Sequence, residues 1–470
     1  MKKYGFYSGG EFIISDSLLP VVNPYTGNII ANVSLAQPIY LEQAIQNGLL
    51  AQEAMAALPS YRKYAVLMEI ANRLQAEEQY FAETICKESA KPIRLAKAEV
   101  QRSVQTLKVA AEESKRLPRE YISLDWTPAG EGKEAIIKYF PIGLIAGISP
   151  FNFPLNLAIH KIAPAIASGN PIIVKPSSLT PITLLEFARI LKETDLPENA
   201  VQIMPMDRVT GDRLVRDERI KMLSFTGSSD VGWEMKKNAG KKKILLELGG
   251  NAGAIVAKGC NIETAVAKCV SGGFSYSGQV CIHTQRIYVQ QDIFNDFTQR
   301  FIEKVSRLRE GDPMNENTEI SVVINSENAI RIEQWVNEAL DLGATILCGG
   351  KRHGNFYEPT VITNTQPQMK VYNCEVFGPV LILESYRTME EAVLQINRGC
   401  YGLQAGIFSD SLADIKYAFA KIEAGGVVVN DTPTFRVDHM PYGGVKDSGI
   451  GREGISYAIR EMMELKLLIL

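Results

Sequence analysis

The feature that most constrains the fold of this 470-residue chain is an alternation of short apolar runs with helical segments. The runs GLIAGIS, NPIIVKPSS, AVQIMP, KMLSFTGSS, KILLELGG and AGAIVA follow one another in the middle of the chain. Strands that alternate with helices form parallel, doubly wound sheets, so the pattern predicts an α/β fold. A second series, RIYVQ, VLILESY, AGIFSD and GGVVVN, predicts a second α/β lobe.

The N-terminal part and the two ends of the chain follow different patterns. From Leu41 to about Arg116, apolar residues recur at spacings of three and four in three segments, which predicts a block of three helices. Proline, glycine and polar residues then interrupt the period from Leu117 to Lys138, which indicates a protruding ribbon. The chain ends in the apolar sequence KLLIL, which we expect to form a strand edge that pairs with another chain.

Composition excludes several classes of protein. A net charge of -3 with 22% charged residues gives no strong field, so neither nucleic acid nor a membrane surface is expected as a partner. The long uncharged run from Tyr139 to Ile159 contains three prolines, and the N-terminus lacks a secretory pattern. Seven cysteines without a CxxC pair argue against structural disulfides and favour a reducing cytoplasm.

Three polar residues stand where chemistry is expected. Cys281, in GQVCIHTQR, is a nucleophile, a metal ligand or a buried thiol, and no two histidines have the spacing of metal ligands. Glu247, at the end of the strand in LELGG, is either a general base or a solvated carboxylate. Asn152, in PFNFP, either holds an oxyanion or bonds its own turn. The residues alone leave these alternatives open.

A dinucleotide site cannot be inferred from the usual fingerprint. No G-x-G-x-x-G follows the first strand of the α/β region. SFTGSS, however, places serines at the start of a helix, where free backbone amides either receive a phosphate or are capped by the serine side chain.

Together, the motifs resemble those of the aldehyde dehydrogenase superfamily. PFNFP, VKPSS, SFTGS, LELGG, GQVC, EVFGP and PYGGVKDSGIGREG occur in that family's order over essentially the whole chain, and the wording is most similar to its lactaldehyde and non-phosphorylating glyceraldehyde-3-phosphate branches. The resemblance implies a Rossmann-type cofactor lobe, an α/β catalytic lobe and a small β oligomerisation ribbon. The implied ranges are 1-122 and 141-246 for the cofactor-binding domain, 247-445 for the catalytic domain, and 123-140 and 446-470 for the oligomerisation segments.

The resemblance also implies a mechanism. Cys281 would attack the aldehyde, Asn152 and the Cys281 backbone amide would hold the oxyanion, and Glu247 would activate the water that releases a free acid rather than an acyl-coenzyme A. Lys161 and Glu453 match a buried pair that is connected with proton release from Glu247, although a purely structural pair is an equal alternative.

Cofactor residues are implied in the same way. The family pattern places NAD or NADP against Ser149, Pro150, Lys175, Ser177, Ser178, Gly211, Ser228, Leu248, Glu375 and Phe377. Many NAD-preferring members have a glutamate where this chain has Ser178. Because a serine does not repel a 2′-phosphate, we expect NADP to be accepted or preferred.

The substrate is expected to be a small polar aldehyde. The family's substrate tunnel maps to Asn156, His160, Ile282, His283 and Arg436, a lining that suits lactaldehyde, glyceraldehyde, its 3-phosphate or a semialdehyde. His283 is alternatively part of its own turn, and Arg436 part of an ordinary ion pair. The resemblance further implies a homo-oligomer, either a dimer or a dimer-of-dimers tetramer. A catalytically silent relative that serves as a structural or binding subunit is the alternative function.

Overall fold

The structure is a computed structural model and describes residues 2–470. Its helices are α1 (Pro38–Ala57), α2 (Ser60–Ala76), α3 (Glu78–Ser89), α4 (Ile93–Ser114), α5 (Asn156–Ser168), α6 (Ile182–Lys192), α7 (Arg208–Arg216), α8 (Ser229–Asn238), α9 (Ile262–Phe274), α10 (Phe294–Val305), α11 (Ser326–Asp341), α12 (Lys370–Asn373), α13 (Met389–Asn397), α14 (Leu412–Lys421) and α15 (Ile455–Glu461).

The strands precede, separate and follow these helices. They are β1 (Lys2–Tyr4), β2 (Phe6–Ser8), β3 (Glu11–Ile13), β4 (Leu18–Val22), β5 (Ile29–Ser34), β6 (Arg119–Ser123), β7 (Glu134–Pro141), β8 (Ile145–Ile148), β9 (Ile172–Lys175), β10 (Val201–Ile203), β11 (Met222–Thr226), β12 (Lys243–Glu247), β13 (Ala252–Val256), β14 (Thr284–Gln290), β15 (Thr345–Cys348), β16 (Arg352–His353), β17 (Phe356–Tyr357), β18 (Thr360–Thr363), β19 (Val380–Tyr386), β20 (Tyr401–Gly402), β21 (Gln404–Phe408), β22 (Gly426–Val429), β23 (Val445–Lys446), β24 (Gly449–Ile450) and β25 (Met463–Ile469).

The first large sheet has eight strands in the order β24-β12-β11-β8-β9-β10-β2-β3. Its five central strands, from β12 to β10 in this order, are parallel, and helices α5 to α8 form the crossovers that connect them. Apolar side chains fill both faces of this sheet, as a doubly wound arrangement requires. At one edge, β24 runs antiparallel to β12 and places Gly449 opposite Glu247.

The second large sheet has seven strands in the order β15-β18-β19-β14-β13-β21-β22. All neighbours except β15 and β18 are parallel. Three separate apolar clusters cover its faces, so this lobe has its own core. The two parallel sheets therefore form two lobes, as the two series of apolar runs predict.

A third sheet consists of the two strands of the predicted ribbon region and the C-terminal strand. Its order is β25-β7-β6, and β25 pairs with β7 along its whole length, from Met463 opposite Pro141 to Ile469 opposite Ala135. The tail therefore has a partner strand within its own chain on one side. On the other side of β25, no strand pairs with it among residues 2–470. Leu465, Leu467, Leu468 and Ile469 are about half exposed along it.

The N-terminal helical block differs from the prediction in one respect. The segment expected as one helix from Tyr64 to Ser89 is divided at Glu77, whose φ of -106° and ψ of 22° separate α2 from α3. Glu77 pairs with Arg189 on α6, so a tertiary ion pair lies at the break. Periodicity could not reveal this break, because no glycine or proline marks it. No helix within residues 2–470 is long and apolar enough to cross a bilayer.

Candidate active site

Cys281 lies in a tight turn between α9 and β14. The chain leaves α9 through Tyr276, Ser277 and Gly278, all of which have φ between 50° and 69°. Two side-chain bonds hold this left-handed segment: the Tyr276 hydroxyl donates to the carbonyl of Ser89 (3.2 Å), and the Ser277 hydroxyl donates to that of Ser321 (2.6 Å). A conformation that is costly for non-glycine residues is thus fixed by contacts on both sides. The turn delivers Cys281 to the space between the lobes.

The glycines of LELGG allow that turn to approach closely. A Cβ atom on Gly250 would lie 2.2 Å from the carbonyl oxygen of Cys281, so only glycine fits there. The backbone N–H of Gly250 also donates to the carboxylate of Glu375 (3.0 Å). The segment after Glu247 therefore contacts both the cysteine turn and the EVFGP motif.

The Cys281 thiol is in a poor environment for ionisation. Burial raises its pKa to about 11, and the carboxylates of Glu375 and Glu247 act in the same direction. The hydroxyl of Tyr442 lies 3.2 Å from Sγ and opposes the rise, as does the cation of Arg436.

Glu247 is buried, and neither of its carboxylate oxygens has a hydrogen-bond partner among residues 2–470. A Cβ atom on Gly443 would lie 2.8 Å from Oε1, which places this carboxylate against the PYGG motif. Burial, and then the negative charge of Glu453, raise the pKa of Glu247 well above that of an ordinary glutamate. An unpartnered carboxylate with a raised pKa is what a general base requires.

Glu453 has the opposite environment, although it is equally buried. Its carboxylate accepts from Lys161 Nζ (3.2 Å) and from a terminal nitrogen of Arg436 (3.0 Å), and Lys161 also donates to Thr226 (2.7 Å). Burial alone would raise the pKa of Glu453, but the two cations hold it at about 2. The structure thus joins Lys161 and Glu453, as expected, and adds Arg436 to the pair.

Asn152 is buried beside the same turn. Its Nδ2 donates to the carbonyl of Gln279 (3.0 Å), two residues before Cys281, which leaves one N–H of this amide for another acceptor. Its side-chain oxygen is buried without a partner.

The predicted substrate residues on α5 form a polar network. Asp438 accepts from Asn156 (3.3 Å) and from Arg102 (2.8 Å), and its carboxylate lies 2.9 Å from Nε2 of His160. Although burial would raise it, the contacts with His160 and Arg102 hold the pKa of Asp438 far below its usual range. Burial lowers the pKa of His160, and its Nδ1 lacks a partner.

Ile282 and His283, the two predicted substrate residues that follow Cys281, have different contacts. Ile282 packs with Leu403 and Tyr442 in a small apolar cluster that includes Cys281. The Nε2 atom of His283 lies 2.8 Å from the carbonyl of Gly273, in the helix that precedes the turn. Burial lowers the pKa of His283 to about 4. The structure therefore shows His283 bonded to local backbone, and its contact with substrate stays a prediction.

A cleft of about 870 Å³ runs from Cys281 between the lobes. Nine of the ten predicted cofactor residues line it: Ser149, Pro150, Lys175, Ser177, Ser178, Ser228, Leu248, Glu375 and Phe377. The tenth, Gly211, lies behind the aliphatic part of Lys175, because a Cβ there would be 3.3 Å from Lys175 Cε.

Several groups in this cleft suit a dinucleotide phosphate. Helix α8 begins after Ser228 with no side-chain cap, and the hydroxyls of Ser149 and Ser229 are buried without partners. The Lys175 amine makes only a 3.4 Å bond to the neighbouring carbonyl of Pro176, and burial lowers its pKa. Free amides, hydroxyls and an ammonium group in one cleft fit an anionic, polyhydroxylated ligand.

Sequence reasoning missed the part of the cleft formed by α11. Arg331 and Trp335 line it, and the guanidinium of Arg331 lies 4.6 Å from the Trp335 ring centroid. Arg102, Asp438 and Tyr442 were also missed. Arg102 and Asp438 are 336 residues apart, so no local pattern could have joined them. The helical period of α4 gave no signal that Arg102 faces the site.

A family model described as the aldehyde dehydrogenase family matches residues 13–468. The chain belongs to this family. The α/β fold with two lobes, predicted from the alternation of strands and helices, and the aldehyde dehydrogenase assignment, predicted from motifs, are therefore confirmed.

Relatives of this aldehyde dehydrogenase are similar over their full lengths. The 3-sulfolactaldehyde dehydrogenase of Priestia aryabhattai is 40% identical over 472 residues, covering 100% of this chain and 98% of that protein. The crystal structure of aldehyde dehydrogenase 21 from Physcomitrella patens, in complex with the reaction product succinate, has a TM-score of 0.98 and 42% identity and covers 100% of this chain and 98% of its own. Glyceraldehyde-3-phosphate dehydrogenase GapN of Methanocaldococcus jannaschii, complexed with NADP, has a TM-score of 0.93 and 36% identity, with coverage of 97% and 100%.

Proposed function

We propose that this aldehyde dehydrogenase oxidises a small polar aldehyde that carries an anionic group, and releases the free carboxylic acid. NAD or NADP, when bound, would accept the hydride. The observation that supports this reaction best is the convergence of Cys281 with the amide of Asn152 and with the buried, unpartnered carboxylate of Glu247.

In the first step, the Cys281 thiol loses its proton to solvent, Sγ forms a bond to the aldehyde carbon, and the carbonyl π electrons move to oxygen. The free N–H of Asn152 and the backbone N–H of Cys281 donate to that oxyanion. Loss of one such donor typically lowers kcat by ~10²- to 10³-fold. After hydride loss, the acyl group is held on Cys281 as a thioester.

Glu247 completes the reaction. Its carboxylate takes a proton from water, the hydroxide adds to the thioester carbon, and the thiolate of Cys281 leaves. A free acid is formed because this base activates water, so a coenzyme A acceptor is not needed. Glu453 is a poor proton acceptor, because two cations hold its pKa at about 2. We therefore assign Lys161 and Glu453 the role of fixing the charge beside Glu247 rather than of accepting its proton.

The cofactor residues act by position and charge. Lys175 would bind the adenosine ribose, Ser228 and the first amides of α8 the pyrophosphate, and Glu375 with Phe377 the nicotinamide side. Ser178 leaves room and no repulsive charge for a 2′-phosphate, which supports acceptance of NADP. The NADP complex of the Methanocaldococcus jannaschii relative agrees with this assignment.

Arg436 supports an anionic substrate. Its Nε is buried without a partner, although a terminal nitrogen of the same guanidinium bonds Glu453. A carboxylate, sulfonate or phosphate on the aldehyde would supply the missing acceptor. The names of the similar proteins mention 3-sulfolactaldehyde, succinate and glyceraldehyde 3-phosphate, all of which are small and anionic. Asn156 and His160 would contribute to substrate binding as a polar pair that the carboxylate of Asp438 holds in place.

We further propose that the enzyme works as a homo-oligomer in the cytoplasm. The exposed apolar residues along the unpaired edge of β25 favour a dimer or a dimer-of-dimers tetramer. Free thiols at all seven cysteines suit a reducing compartment.

A substrate screen with covalent trapping tests the proposed function. Short carboxy-, sulfo-, phospho- and hydroxy-aldehydes are supplied with NAD or NADP, and reduced cofactor is followed at 340 nm. We expect turnover with anionic aldehydes and an acyl adduct on Cys281 by mass spectrometry.

Two variants control this experiment. Cys281→Ala should remove both turnover and adduct, whereas Cys374→Ala, which removes another thiol of the same cleft, should keep both. Absence of turnover and adduct with every aldehyde would favour the silent subunit instead.

A further inference from the structure

The mechanism above leaves the hydroxyl of Tyr442 without a role. This residue is 3% exposed, and its hydroxyl lies 3.2 Å from the Sγ atom of Cys281. A phenylalanine at this position would fill the same apolar space. The presence of an oxygen beside the nucleophile therefore needs a chemical reason.

The position of Tyr442 is fixed on three sides. Its backbone exchanges two hydrogen bonds with Glu453, of 3.0 Å and 2.6 Å, and its ring packs against Ile282 and Leu403. The guanidinium carbon of Arg436 lies 3.7 Å from the ring centroid. The hydroxyl is thus held beside Sγ by the same segment that carries Glu453.

The surroundings of Cys281 create a need for such a donor. Partial burial limits the contact of the thiol with water, and Glu247 and Glu375 place negative charge nearby. A thiolate in such a site gains from any hydrogen-bond donor, because bonding to the charged form favours ionisation. A cation over an aromatic face draws electron density from the ring and strengthens the hydroxyl as a donor.

We propose that Tyr442 is a further catalytic residue, whose hydroxyl donates a hydrogen bond to Sγ of Cys281 and stabilises the thiolate, with Arg436 polarising the phenol from above its ring. This inference rests on the proposed role of Cys281 as nucleophile. Ionisation releases one proton to solvent and leaves the S–H electron pair on sulfur, while the tyrosine keeps its own proton. The same electron pair then forms the bond to the aldehyde carbon.

Alkylation of Cys281 in the absence of aldehyde and cofactor tests this role. In the reaction with iodoacetamide, sulfur displaces iodide, so the rate follows the thiolate fraction. The rate at Cys281 is read by peptide mass spectrometry between pH 6 and pH 10, below the thiol pKa of about 11, where the rate rises about tenfold per pH unit. For Tyr442→Phe, we expect a higher thiol pKa and therefore a rate about tenfold lower at every pH in this range.

A matched variant and a melting curve separate this role from a structural one. Tyr372→Phe removes another buried tyrosine hydroxyl of the same lobe, one that bonds Gln395, and should leave the alkylation rate unchanged. Thermal unfolding of both variants shows that they fold. An unchanged alkylation rate in folded Tyr442→Phe would overturn the proposal. Failure of aldehyde turnover in the unsubstituted enzyme would instead sink the proposed function, because alkylation needs neither substrate nor cofactor.

A double-variant cycle tests the contribution of Arg436. If Arg436 acts through the phenol, Arg436→Gln should lower the alkylation rate by a smaller factor in the Tyr442→Phe background than in the unsubstituted enzyme. Equal factors in the two backgrounds would show that the guanidinium acts separately and would overturn that part of the proposal.

Discussion

The two large sheets present opposite ends of their strands to the cleft. In the eight-stranded sheet, Ser149 follows β8, Lys175 ends β9 and Glu247 ends β12, so the carboxyl ends carry the polar groups. In the seven-stranded sheet, Cys281 precedes β14 and Glu375 precedes β19, so the amino ends face the cleft. The proposed nucleophile, Cys281, and its proposed helpers, Asn152 and Glu247, thus come from different sheets. Neither lobe alone contains the proposed reaction centre. We expect substitutions at the carboxyl ends of the eight-stranded sheet and at the amino ends of the seven-stranded sheet to have different effects.

The largest effect is expected at Glu247. Glu247→Gln keeps the shape of the side chain but cannot accept a proton from water, so the thioester should accumulate on Cys281. We expect the steady-state rate to fall by ~10²- to 10⁴-fold while one equivalent of reduced cofactor still forms rapidly. Stopped-flow absorbance at 340 nm measures both phases. A lost burst together with the lost steady-state rate would contradict a role confined to hydrolysis.

Asn152→Ala removes the second group supplied by the eight-stranded sheet. Because the oxyanion forms before hydride loss, this variant should slow the burst itself, by ~10²- to 10³-fold. The two variants therefore differ in which phase they affect, although both residues lie at carboxyl ends of the same sheet. Pre-steady-state absorbance measures the effect, and equilibrium binding of cofactor serves as the control, since it should not change.

Glu375 provides a pH test at an amino end. Burial raises the pKa of Glu375 to about 7. The ionised carboxylate only accepts hydrogen bonds, as binding of ribose hydroxyls requires, whereas the protonated form also donates one. Cofactor binding should therefore weaken as pH falls through about 7, and KM for the cofactor should rise up to about tenfold per pH unit below it. Glu375→Gln should have a flat KM profile in this range. A profile for the variant that still breaks near pH 7 would assign the effect to another group.

Ser178→Glu changes the predicted cofactor site next to the eight-stranded sheet without changing Cys281, Asn152 or Glu247. The new carboxylate would repel a 2′-phosphate, so the ratio of kcat/KM for NADP to that for NAD should fall about tenfold. Cys281 should be alkylated at the same rate as in the unsubstituted enzyme. If unsubstituted enzyme already preferred NAD by tenfold or more, the reasoning from Ser178 would be wrong.

The smallest effect on catalysis is expected from the C-terminal strand β25. Deletion of Leu467 to Leu470 removes apolar residues that are about half exposed and part of the pairing with β7. Multi-angle light scattering should show a smaller assembly, while kcat per active site changes less than about twofold. An unchanged mass would show that the end of β25 is not needed for assembly.

Local patterns predicted the strand ends well and the cross-lobe contacts poorly. Ser228 was found because a buried strand followed by a helix start is visible in a short window of sequence. Lys175, Glu453 and Lys161 needed the family resemblance. For Arg436, an ion pair was only the alternative to substrate contact, and no pattern named Glu453 as its partner. The hydroxyl of Tyr442 carried no signal, since its meaning depends on a sulfur atom 161 residues earlier. Pairings of this kind are set by packing of the lobes, which no local periodicity encodes.

The short strand β24 restrains the two lobes relative to each other. It follows the PYGG motif in the sequence and pairs with β12 at Glu247. Ser448, beside β24, donates to the carbonyl of Gly249 (2.8 Å) and accepts from the N–H of Gly402 (3.0 Å). These contacts join the two lobes beside Glu247. Separation of the lobes at this point would break the pairing of β24 with β12 and both bonds of Ser448. The carboxylate proposed to accept the proton therefore lies next to a contact that restrains both lobes.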